Sequence, residues 1–196
     1  MLRHASGASA RAALVVLVAC LLAACSRQPM VASETLTPES PPKRQVEPGA
    51  PPCTLRLVEL VDTRTSPEMF GIVDGRAIYA PKDIPAWLKS IAEGLRPRGV
   101  TPSYGAAPDA TPAMLEGKIA LTTAWLSNVR GNITSTAVLK VQARNAAGGS
   151  IDKSYRGSVA RILWWSNPSE AQEGIDDAVS RALDAAATDL RQLCKG

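Results

Sequence analysis

The sequence predicts an α+β domain: an antiparallel-rich sheet of about four to six strands with two helices packed on one face. Three observations predict it. Segments 115–125 and 132–144 alternate apolar and polar residues with period two, either side of Arg130-Gly131-Asn132. The last segment carries an apolar stripe at helical spacing, and Asp83 to Leu95 carries a shorter one. The chain has 196 residues, 45% apolar and 20% charged, so it can build one core of useful size but hardly two.

The domain is expected over residues 53–196 and opens with Thr54-Leu55-Arg56-Leu57-Val58-Glu59-Leu60-Val61-Asp62. Leu55, Leu57 and Val61 alternate there with Arg56, Val58 and Leu60, which reads as a strand buried on both faces. Glu59 falls on its apolar side, which predicts a buried or half-buried carboxylate paired with an arginine. Asp62 and Arg64 read as a local ion pair before the turn at Pro67. Gly71 to Ala80 reads as a short strand or hairpin around Asp74-Gly75.

A helix follows. Asp83 can cap it and Pro85 is tolerated in its first turn, while Pro97 and Gly99 end it. Ile84, Trp87, Leu88, Ile91 and Leu95 share one side. Gly99 to Tyr104 fits an edge strand, because Pro102 cannot donate to a second neighbour. In the long strand Leu115 to Trp125 the odd positions are mostly apolar, which assigns Trp125 to the core side. Asn132 to Arg144 repeats the pattern, giving a hairpin with one wet face. Asn145 to Gly149 turns into a third strand near Ile151 to Trp165. In the final helix Asn167 caps and Pro168 takes the first position. Ile175, Val179, Ala182, Leu183, Ala186, Leu190 and Leu193 form its stripe, and Asp176, Asp177, Arg181, Asp184, Asp189 and Arg191 mark a solvent side.

Residues 1–24 read as an address. Arg3, His4 and Arg11 precede a short apolar run that ends in Leu22-Ala23-Ala24-Cys25, the pattern of a lipoprotein signal peptide with Cys25 as the acylated, palmitate-bearing residue. Ser26 follows; the inner-membrane retention signal, an aspartate, is absent there, so the expected location is the outer membrane, lipid-anchored and facing the periplasm. Residues 25–52 form a lipidated tether with seven of the fifteen prolines.

Loss of residues 1–24 changes the charge from 22 − 18 = +4 to 20 − 18 = +2 and removes the single histidine. A dense basic stripe for nucleic acid is absent. Without histidine, Ser-His-Asp and Cys-His catalysis and histidine-based zinc sites are excluded, so no cofactor and no metal are expected. Cys53 and Cys194 remain in an oxidising compartment, at the two ends of the domain, and are expected to form a disulfide.

The segments Asp62-Thr63-Arg64, Asp83-Ile84-Pro85-Ala86-Trp87-Leu88, Trp125-Leu126-Ser127-Asn128-Val129-Arg130-Gly131-Asn132-Ile133-Thr134 and Tyr155-Arg156-Gly157-Ser158 with Trp164-Trp165 resemble the YajG-like family of Gram-negative lipoproteins. The resemblance covers about residues 54–194 and implies a lipidated, periplasm-facing domain without an assigned activity. The expected partner surface is Trp164 and Trp165, with Arg130 and Asn132 at the hairpin tip. Three functions are compatible with these features. The first is a non-enzymatic envelope lipoprotein that binds another protein. The second is a module for peptidoglycan or lipid, auxiliary to a transporter. The third is a carboxylate-dependent hydrolase, for which Glu59 is the residue to suspect.

Overall fold

The computed structural model describes residues 53–73, 75–105, 114–129, 132–162 and 168–196, with side chains undescribed at Val129, Pro168 and Ser169. The expected signal, Cys25 and tether lie outside these residues, as do Arg130, Trp164, Trp165 and Asn167. The strands are β1 (Cys53–Asp62), β2 (Met69–Val73), β3 (Arg76–Tyr79), β4 (Val100–Tyr104), β5 (Met114–Val129), β6 (Asn132–Asn145) and β7 (Ser150–Ile162). The helices are α1 (Ile84–Glu93) and α2 (Pro168–Cys194).

The fold is α+β, and the described residues form one mixed sheet of seven strands. β5, the longest strand, organises it. Along one edge β5 pairs antiparallel with β6, which pairs antiparallel with β7. Along its other edge β5 pairs parallel with β1 up to Leu121, and again with β2 at Leu126 and Ser127. β1 and β2 thus succeed each other beside one long strand, and β3 returns antiparallel to β2. β4 adds to the far side of β1, also parallel, so Pro102 does lie on an edge strand. The antiparallel-rich expectation missed these parallel pairings because alternation within a strand carries no direction.

Cys53, Leu55, Leu57, Leu115, Ile119, Leu121, Ile133, Leu139 and Val141 point to one face, where both helices close a single core. Asp83 caps α1 by accepting the Ala86 N–H at 2.9 Å. Gly94 ends α1, and a single 3-10 turn, Arg96–Arg98, brings the chain to β4. α2 buries Ala171, Ile175, Ala178, Val179, Ala182, Leu183, Ala186, Ala187 and Leu190, a wider band than the expected stripe because the alanines join it. A Cβ at Gly157 of β7 would lie 1.8 Å from the Ala178 carbonyl oxygen, so only glycine lets the helix sit this close.

Two bulges correct the strand phases read from the sequence. The β1/β5 register shifts between Leu57 and Glu59, which turns Glu59 out of the apolar face. Glu59 is exposed and pairs with Lys118 at 2.5 Å, so it is neither buried nor bound to an arginine. The β5/β6 register shifts between Leu121 and Thr123. Beyond it the even residues Ala124 and Leu126 face the core, and Trp125 stands on the opposite side of the sheet. Asn132 is the first residue of β6, paired with Val129 and with Ile162, rather than part of the turn.

The structure joins Cys53 to Cys194 by a disulfide, with Cα atoms 5.7 Å apart. The start of β1 and the end of α2 meet at one point of the core.

Candidate functional site

The face of the sheet turned away from the helices is divided by charge. At the end where β1 begins, its residues pair with one another. Arg144 donates to Glu116 at 2.7 Å and Arg56 reaches the second oxygen of the same carboxylate. These arginines, Arg144 first, hold the Glu116 carboxyl below its ordinary pKa. Gln142 donates to Asp152 at 2.8 Å, and Lys140 lies 3.5 Å from it. Such cross-strand ladders satisfy themselves and leave little charge to spare.

The other end of the face is apolar and hydroxyl-rich. Backbone register sets Ile72, Ser127, Thr134 and Ala160 in one row across four strands. Trp125, Thr136 and Ser158 form the next row, and the Thr136 and Ser158 hydroxyls lie 3.3 Å apart. Asn132 and Ile162 form the last. Ile72, Trp125 and Ile162 stay 53%, 41% and 62% exposed. Large apolar side chains grouped on an open sheet face mark a place where another surface can be covered. Of the residues expected to form a partner surface, Asn132 lies here and is exposed; Arg130, Trp164 and Trp165 fall outside the described residues. Trp125 and Ile72 were missed. Only the bulge reveals Trp125, and Ile72 belongs to a strand that is too short to show a pattern.

The buried ionic groups are structural. Arg64 holds Asp62 through Nε at 2.9 Å and Nη2 at 2.7 Å, and donates to the Pro67 carbonyl at 2.6 Å. Its guanidinium lies 5.0 Å from the Phe70 ring centre and 5.4 Å from that of Trp87. The local pair expected from the sequence thus clamps the connection from β1 to β2 beneath α1. Arg98 likewise binds Asp184 at 2.8 Å, the Ser180 hydroxyl at 2.6 Å and the Gly94 carbonyl at 2.6 Å. Among the described residues no group of three or more Cys, His, Asp or Glu could hold a metal ion.

A shallow depression of about 550 Å³ lies at the entry to α1, lined by Pro67, Glu68, Tyr79, Ala80, Pro81, Lys82 and Ile84. Its walls are mostly apolar, and Glu68 and Lys82 are its charged groups. No helix of the described residues is long and apolar enough to cross a membrane.

No family model matches the chain, and no curated protein does. Among solved structures, the fold is similar to that of protein XCC0632 from Xanthomonas campestris, of the family DUF330, at 11% identity and a TM-score of 0.52. That likeness covers 79% of this chain and 94% of the other, and it shows the fold. The lipoprotein GNA1162 from Neisseria meningitidis matches at 14% identity and a TM-score of 0.33, over 74% of this chain and 100% of its own. A minor lipoprotein from Acinetobacter baumannii matches at 15% identity and a TM-score of 0.32, over 72% and 92%. These two are too distant to carry an argument, so the chain is placed by fold and not by family.

Proposed function

We propose that the chain is a non-enzymatic lipoprotein, anchored in the outer membrane through Cys25, whose periplasmic domain binds an envelope protein through the open face of its sheet. The observation that carries this reading is the exposed set Ile72, Trp125 and Ile162 among hydroxyl side chains, on a face that the helices leave uncovered. Apolar anchors rimmed by groups that can donate and accept suit a protein surface. The Leu22-Ala23-Ala24-Cys25 pattern supports the anchor, and so does the resemblance of residues 54–194 to the YajG-like family. A hydrolase centred on Glu59 has no support in the geometry, since the carboxylate lies in solvent beside Lys118.

The test is crosslinking in intact cells followed by mass spectrometry, with wild type compared to Trp125→Ser/Ile162→Ser. A recurrent envelope protein should be captured by the wild type and lost from the double variant, whose disulfide remains formed. Equal capture by both would overturn the reading. The apolar depression beside Tyr79 and Ile84 favours a second reading, a module for lipid or peptidoglycan that assists a transporter. It predicts that Tyr79→Ala, and not Trp125→Ser, abolishes function.

A further inference from the structure

β7 is an outer strand: among the described residues it pairs with β6 alone. Its pairing runs from Asn132↔Ile162 to Arg144↔Ser150 without a shift, whereas the pairings of β5 with β1 and with β6 are both broken by bulges. It also lacks proline. A long, regular, proline-free edge is a template for a further strand, and natural edges are commonly protected against that. Its direction of hydrogen bonding is fixed by the turn. The Asn145 N–H donates to the Gly149 carbonyl at 2.9 Å, so odd-numbered residues of β7 turn their backbone groups toward β6. Even-numbered residues turn theirs outward. Accordingly the Ser158 carbonyl is reached from outside the sheet by Arg181 at 3.3 Å.

The side chains along this edge name the partner. Arg156 is exposed and, among the described residues, has no hydrogen bond or ion pair. The other two cations of the strand are neutralised by α2, Lys153 by Asp189 and Arg161 by Glu173 and Asp177. Asp152 lies four residues before Arg156 on the same open face; its carboxylate accepts from Gln142 and lies 3.5 Å from Lys140 on the β6 side, yet stays 58% exposed and can accept a further donor from beyond the edge. A copy of the strand laid antiparallel about Ser154 sets Asp152 opposite Arg156 twice. The alternative two-fold centred on Arg156 would oppose two arginines. The helix permits the same approach. Arg181 continues along α2 as Ala185, Thr188 and Gln192, all exposed, at spacings of four, three and four. Two α2 helices beside such an edge would lie about 10 Å apart, an ordinary packing distance, with the small or neutral Ala185, Thr188 and Gln192 between them and Arg181, which would have to release the Ser158 carbonyl, at one end.

We propose that the protein forms a homodimer in which the β7 strands of two copies pair antiparallel about Ser154, joining their sheets into one. Asp152 of each copy then meets Arg156 of the other, and the two open faces lie side by side as one doubled surface. A hydrogen-bonded antiparallel pair places the two Ser154 Cα atoms about 5.5 Å apart, within reach of a disulfide.

The test uses the full chain in its own membrane. Ser154→Cys should give a covalent dimer under mild oxidation, at least ten times the yield from Ser150→Cys, which faces Ser158 rather than itself. Arg156→Asp in the Ser154→Cys background should lower the yield about tenfold, and Asp152→Arg added to it should restore it. Sedimentation of the detergent-solubilised wild type should give the mass of two chains. Equal yields from positions 150 and 154, indifference to the charge reversal, or a monomeric wild type would each overturn the dimer.

Discussion

Arg64 holds a carboxylate that is almost wholly out of water. Removing one partner of a buried pair leaves the other charge uncompensated. Arg64→Ala should therefore cost about 3–5 kcal/mol in denaturant unfolding. Arg64→Lys should recover only part of this, since an ammonium cannot reproduce the two-nitrogen grip on Asp62 or the contact over Phe70. Gly157 makes the opposite demand. Gly157→Ala should destabilise by about 1–3 kcal/mol, because the added methyl meets the backbone of α2, which cannot rotate away. The Asp62–Arg64 pair was legible, being two residues apart. The need for glycine at 157 was not, because it arises from a helix that approaches from elsewhere in the chain.

At the scale of elements, α2 is joined to the sheet by charge as well as by its apolar stripe. The sequence assigns Asp177, Asp184 and Asp189 to a solvent side, yet each reaches a cation of another element. Helical periodicity locates the apolar centre of a contact and is silent about its charged margins. Asp189 accepts from Lys153 at 2.8 Å and from the Tyr155 hydroxyl at 2.9 Å, and both bonds hold its carboxyl below the ordinary aspartate range. Burial and Asp189 push the Tyr155 phenol up. The signs follow from linkage. The Asp189 contribution is present above the usual aspartate pKa and is lost as pH falls through the lowered one. The Tyr155 contribution is present below the usual tyrosine pKa and is lost as pH rises through the raised one. Denaturation midpoints across pH should show both losses, and Tyr155→Phe should remove the alkaline one and reduce the acid one. The starts of β1, β5, β6 and β7 were legible from alternation, but the run of β5 beyond Trp125 to Val129 and the phases of β1 and β5 were not. A bulge inserts one residue opposite a neighbour, so its position depends on the partner strand. That is why Glu59 and Trp125 both changed sides.

For the whole molecule, the Cys53–Cys194 bridge closes nearly the entire domain, at a sequence separation of 141. Reduction should lower stability by about 3–5 kcal/mol through the entropy returned to the unfolded chain. Guanidinium unfolding of the oxidised protein against Cys53→Ala/Cys194→Ala checks this. The pairing was legible because compartment, parity and the ends of the domain all pointed to it. The site was legible only in part, since Asn132 lies on the open face whereas Trp125 arrived there through a register shift. Lipidation at Cys25 predicts that labelled fatty acid is incorporated by the wild type and not by Cys25→Ser, and that the protein fractionates with the outer membrane. The claim that the open face binds a protein is tested most directly by a photocrosslinking residue placed in intact cells at position 125 or at position 126, one step along the same strand. Position 125 should give an adduct with an envelope protein, and position 126, which faces the helices, should give none. Equal adducts from the two positions, or none from 125, would contradict the account.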